Sequence, residues 1–182
     1  MEGMLHSALI TLVLSACVFV STRRHSFLKT LVIAGMLLYP FSFLRLFNGS
    51  GLNLSMLITG LFGAPSPLSV LLALWACGAK YLRLKVLPRR SALFLSIFGG
   101  LVFLDALGLL PISLIYAPRT FVWLSLCIWG GLAFHVHKVL GSFFVLILGF
   151  NLFCPVALPY NLFMDIYLWI VALWIARPKK FL

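Results

Sequence analysis

Seven apolar runs divide this chain, at about residues 4–21, 27–47, 52–78, 92–115, 120–137, 142–158 and 161–176. An α-helix rises 1.5 Å per residue, so crossing ~30 Å of hydrocarbon takes roughly 20 residues. The first five runs reach that length. The last two are shorter and broken by Pro155 and Pro159, which predicts a tilted or re-entrant pair. The chain is 63% hydrophobic and 9% charged, where a soluble domain carries about 25% charged residues. Too little polar surface exists to cover a water-soluble globule. The expected fold class is all-α, a polytopic integral membrane protein of about six or seven membrane helices. No repeat, low-complexity linker or shift of composition divides it, so residues 1–182 read as a single helical transmembrane domain.

The basic residues test this reading. With the loops after the first, third and fifth runs placed on the same side as the C-terminus, that side receives twelve of them. These are Arg23, Arg24, Lys29, Lys80, Arg83, Lys85, Arg89, Arg90, Lys138, Arg177, Lys179 and Lys180. The opposite loops hold Arg119, and Arg45 stays within an apolar run. Such an asymmetry is what the positive-inside rule produces. It also accounts for the net charge of +11 without invoking nucleic acid, for which a basic patch on a folded surface would be required. The tract "AKYLRLKVLPRR" (79–90) reads as an interfacial amphipathic anchor, or as a docking surface for a partner.

Cys17, Cys77, Cys127 and Cys154 are widely spaced and show no CxxC or Cys/His ligand pattern, so neither zinc nor a redox pair is expected. "LSAC" ending at Cys17 looks like a lipoprotein processing site but lacks a basic stretch before it. An uncleaved first helix is the better reading. No HExxH, GxSxG, phosphate-binding glycine loop or paired acidic motif occurs, and no catalytic residue or cofactor is expected. "NGS" (48–50) and "NLS" (53–55) match the glycosylation pattern, yet their position beside membrane segments favours helix approach or an unwound turn. The Trp and Phe residues read as packing and lipid-facing groups.

Few polar residues are left to carry chemistry. Arg45, in "LLYPFSFLRLFNGSGLNLS" (37–55), is the first, because a charge at the bilayer centre costs about 3 to over 10 kcal/mol. It either snorkels past Asn48, Gly49 and Ser50, or serves as a fixed positive charge on an ion pathway. Asp105, in "LVFLDALGLLP", is either a neutral or structurally partnered carboxyl or a proton relay. Asp165 opens its segment, where a helix N-terminus favours an anion. His135 and His137, in "FHVHK", close the fifth run. At i, i+2 they sit about 200° apart on a helix, so they read as interfacial histidines or a proton entry or exit site, not one metal site. His6 reads as structural.

Around Arg45 the chain resembles the proton-channel helix of F-type ATP synthase subunit a, with Pro40, Arg45, Leu46, Phe47, Asn48 and Gly49/Gly51 fitting its outline. Asn48 comes one residue sooner than in that family. The segment "FLDALGLLPISLIYAPRTFVWLSLCIWGGLAF" (103–134) is similar to the family's "GLLP" segment and following helix, and "FNLFCPVALPYNLF" to its proline-broken region. In the family these pieces precede the arginine helix, and here they follow it. The resemblance implies a proton-translocating membrane subunit in which Arg45 faces a carboxylate-bearing rotor ring, with Asn48, Asp105, Asp165, His135 and His137 beside the proton path. Partners would be other membrane subunits, a rotor ring among the candidates, and lipids, in a mitochondrial or bacterial inner membrane. The alternatives are a structural subunit of a respiratory or other inner-membrane complex, a small independent transporter using Arg45 and Asp105, and, last, a membrane enzyme.

Overall fold

The structure, a computed structural model, describes residues 60–81, 87–111, 113–156 and 158–177. Every regular element among the described residues is helical. In chain order these are α1 (Pro67–Tyr81), α2 (Arg89–Ala106), α3 (Arg119–Val136), α4 (Lys138–Phe153), a short 3₁₀ helix (Pro159–Leu162) and α5 (Ile166–Ala176). The all-α expectation is met. The first two apolar runs, with Arg45 and Asn48, lie outside the described residues.

Proline and glycine set the boundaries, and they shorten the predicted runs. Residues 60–62 are helical, but residues 63–66 are not, and Gly63 sits at φ 76°. The 52–78 run is therefore interrupted at "GAPSP", as expected, and α1 restarts on Pro67, whose missing N–H costs nothing at a first helical position. The 92–115 run corrects further. Its helix stops at Ala106, where Gly108 N–H bonds the Asp105 carbonyl at 2.9 Å and Leu109 N–H the Leu104 carbonyl at 3.0 Å. This paired closure needs a left-handed residue, supplied by Gly108 at φ 69°. Residues 107–111 and 113–115 leave the helix, so they are loop.

At the other end of α3 the connection is tighter than the sequence predicts. One extended residue, His137 (φ −159°, ψ 118°), separates α3 from α4, and Lys138 is the first residue of α4, not part of a loop. The chain can turn there because Gly141 has no side chain. A Cβ on it would collide with the Phe134 Cα and stand 2.6 Å from the Phe134 nitrogen. Helix lengths then follow: about 27 Å for α3, ~24 Å for α4 and ~17 Å for α5. Among the described helices, α3 alone is both long and apolar enough to cross a membrane by length and composition.

Two compact units are distinguished, residues 1–65 with 69–86 and residues 66–68 with 87–182. In the first, α1 has Leu72, Ala73, Ala76 and Ala79 buried, a stripe at helical spacing. In the second, α3 packs along α4, α2 along α5, and α2 touches α3. The core is aromatic. Phe98 meets Trp129 at 5.0 Å, Phe144 at 5.7 Å and Tyr160 at 6.4 Å between ring centroids, and Phe144 stacks on Phe163 at 4.8 Å. Tilted and edge-on pairs of this kind add to what area burial contributes. Gly99 lets α5 come close: a Cβ there would stand 2.6 Å from Trp169, whose indole N–H donates to the Ser96 carbonyl at 3.0 Å. The outer faces stay apolar, with Leu124, Ile128, Leu132, Val145, Leu146, Phe150, Ile170 and Trp174 all exposed.

Candidate functional site

The contacts fix which helix ends lie together. Arg89 donates from Nε to the Ala176 carbonyl at 3.3 Å, while Phe103 lies against Trp169, so α2 and α5 run antiparallel. Phe94 and Phe98 both meet Trp129, and Tyr160 meets Phe98 and bonds Ser125 at 2.7 Å. Moving toward Tyr160 means rising in number along α2 and falling along α3, so these two are antiparallel as well. The His137 corner makes α3 and α4 a third antiparallel pair.

The polar residues sort by end as a result. Arg89, Arg90, His135, His137, Lys138 and Arg177 all lie at one end of this unit, and the arginines and the lysine are exposed. Asp105, Arg119, Asn151 and Asp165 lie toward the other. Among the described residues, the positive charge clusters at one end of an apolar bundle and the opposite end holds two carboxyl groups and one guanidinium.

Both carboxyl groups are engaged by backbone. Asp105 is 4% exposed, and its Oδ2 accepts from Leu114 N–H at 2.9 Å and Ile115 N–H at 2.6 Å. Leu114 and Ile115 lie outside any helix, so their N–H groups have no intrahelical partner, and the carboxyl group nine and ten residues earlier accepts them instead. Asp165 caps α5: its Oδ1 accepts from Leu168 N–H at 2.6 Å, and the residue has extended backbone as an N-cap requires. Its Oδ2 accepts from Ser66 N–H at 2.5 Å, tying residue 66 to the start of α5. His135 is exposed and His137 half-buried at the corner. Among the described residues, no group of three or more His, Cys, Asp or Glu side chains is placed to hold a metal.

Of the sequence-predicted site residues, Asp105 and Asp165 share an end and His135 and His137 share the other, so the described ones do not converge on one spot. What does converge was not singled out from the sequence. A cavity of about 440 Å³ opens between the start of α3 and the end of α4, lined by Ile115, Ala117, Arg119, Val122, Trp123, Asn151, Pro155, Val156 and Pro159. Its size falls within the ~300–1,000 Å³ of small-ligand pockets. Arg119 and Trp123 share a face of α3, being four residues apart. Asn151 is 1% exposed, and its Oδ1 accepts from Val156 N–H at 2.9 Å. The two signals that could have found this site were in view: Arg119 is the one basic residue on its side, and Asn151 is an amide inside the apolar run "GFNLF".

Comparison with protein-family models, with curated proteins and with solved structures finds no match.

Proposed function

We propose that this chain is a proton-translocating membrane subunit of an F-type ATP synthase, with Arg45 facing the carboxylates of a rotor ring. The observation that supports its membrane setting is the sorting of charge. Exposed Arg89, Arg90, Lys138 and Arg177 occupy one end of a unit whose helix flanks are apolar, as the positive-inside rule requires of a bilayer-spanning bundle. The Arg45 role rests on the sequence around it. Ring carboxyls moving through lipid must be protonated, because an ionised one is too costly to bury. A fixed guanidinium attracts the ionised form and separates two aqueous half-channels.

A second reading, a structural subunit of an inner-membrane complex, is favoured by one observation. The Asp105 and Asp165 carboxyl groups, both candidates for proton transfer, accept from backbone N–H groups that shape loops and a helix start. The deciding experiment is mass spectrometry of the native complex, isolated through this chain in mild detergent, with Arg45→Gln alongside. Recovery of a two-helix ring protein with soluble ATPase subunits, and loss of ATP-driven proton pumping in an assembled Arg45→Gln complex, are the expected results. Recovery of other membrane partners, with proton flux unchanged by the substitution, would establish the structural reading.

A further inference from the structure

The cavity beside Arg119 has a composition that calls for an explanation. Its walls mix polar and apolar surface, with Ile115, Val122, Trp123, Pro155, Val156 and Pro159 beside the side-chain donors of Arg119 and Asn151. Arg119 presents a guanidinium, and among the described residues no carboxyl group pairs with it. Asn151 has its amide orientation set by the bond from Val156 N–H to Oδ1, which leaves the NH₂ group to donate. Arg119 is also the first residue of an 18-residue helix with no acidic residue in its first turn, so the partial positive charge of that helix end is not offset. Three groups that favour an anion therefore share one cavity with apolar side chains.

We propose that this cavity seats an anionic phospholipid. The phosphate lies against the Arg119 guanidinium and the Asn151 amide, and an acyl chain runs over Val122, Trp123 and Val156. A free anion would use the donors but leave the apolar walls wet. A neutral lipid would cover the walls but leave the guanidinium uncompensated. Arg119 is well suited to the task because its planar fork matches phosphate oxygens two at a time. The site goes beyond the proposed function and shares with it the membrane setting.

The test is native mass spectrometry of the delipidated full chain in detergent, titrated with dioleoyl-phosphatidylglycerol and, separately, with dioleoyl-phosphatidylcholine. Phosphatidylglycerol should bind at least roughly tenfold more tightly, and Arg119→Gln should remove that preference, as expected for loss of charge-assisted hydrogen bonds. Asn151→Asp keeps the acceptor for Val156 N–H but removes the NH₂ donor, so it should weaken phosphatidylglycerol binding. Arg90→Gln, at the opposite end, should change nothing. Wild-type binding by Arg119→Gln would overturn the proposal, as would an equal loss in Arg90→Gln, which would mark general surface attraction. Displacement of the lipid by millimolar inorganic phosphate would assign the cavity to a free anion and overturn the lipid as occupant. A chain that stays in the bilayer through a carbonate wash yet fails these tests refutes this inference and leaves the membrane reading standing.

Discussion

Asp105 offers the sharpest separation of a structural from a proton-carrying carboxyl. Its Oδ2 is the acceptor for two backbone donors, Leu114 N–H and Ile115 N–H, and Ile115 is itself buried. In Asp105→Ala both donors lose their partner, and a buried unsatisfied donor costs about 1–3 kcal/mol. Leu114 is only part-buried, so water recovers some of that. The expected loss is roughly 2–5 kcal/mol, or on the order of 5–15 °C in unfolding midpoint for a chain of this size. Asp105→Asn keeps a carbonyl oxygen in the same place and should lose only about 1–2 kcal/mol, the difference between a charge-assisted and a neutral bond. Thermal unfolding of the detergent-solubilised chain, followed by tryptophan fluorescence, measures both, and proton flux in proteoliposomes is measured on the same samples. Flux, where present, should follow stability. An Asn variant of native stability that carries no protons would refute the loop-clamp account and make Asp105 a relay. An Ala variant within about 0.5 kcal/mol of wild type would show that the two bonds contribute nothing net.

Two other substitutions, with Gly131→Ala as a control, probe the remaining joints of the same unit. Gly141→Ala drives a methyl group into the Phe134 backbone, which cannot swing aside as a side chain tip could; a loss of about 2–4 kcal/mol is expected, measured by chemical unfolding, while Gly131→Ala, where a Cβ meets open space, should be neutral or better. Asp165→Ala removes both the cap on Leu168 N–H and the acceptor for Ser66 N–H; the loss should be roughly 2–4 kcal/mol, with limited proteolysis cutting first near residue 66, and an unchanged cleavage pattern would show that the tie to Ser66 is dispensable.

Element type and the position of Asp165 were legible in the sequence for a plain reason. Long apolar runs bounded by proline can be little else than helix, and an aspartate two residues before "YLW" is a cap by composition. Helix ends were less so. The 92–115 run stays apolar past Ala106 because loop residues such as Leu107, Leu109 and Leu110 are as greasy as helical ones, so hydropathy carries no mark of the boundary. Only Gly108 and Pro111 mark it. The one-residue corner at His137 was hidden similarly, since nothing in "HVHKVLG" shows that Gly141 sits where a backbone must pass. The candidate cavity depends on residues from the loop before α3, from α3 and from the end of α4, a convergence that requires the fold. Arg45 and Asn48, on which the resemblance turns, lie outside the described residues.

The pairing of α2 with α5 has a consequence for the order of events during synthesis. The α3–α4 hairpin joins neighbours and can close as soon as both have been made. By contrast, Trp169 reaches back 73 residues to Ser96, and the Ala176 carbonyl meets an arginine 87 residues earlier. At ribosomal speeds of ~5–20 residues per second, α2 waits about 4–15 s for that partner. During this interval the notch at Gly99 is open to any other small-residue helix nearby. A temporary partner that shields it for those seconds would raise the yield of folded chain without touching the finished molecule.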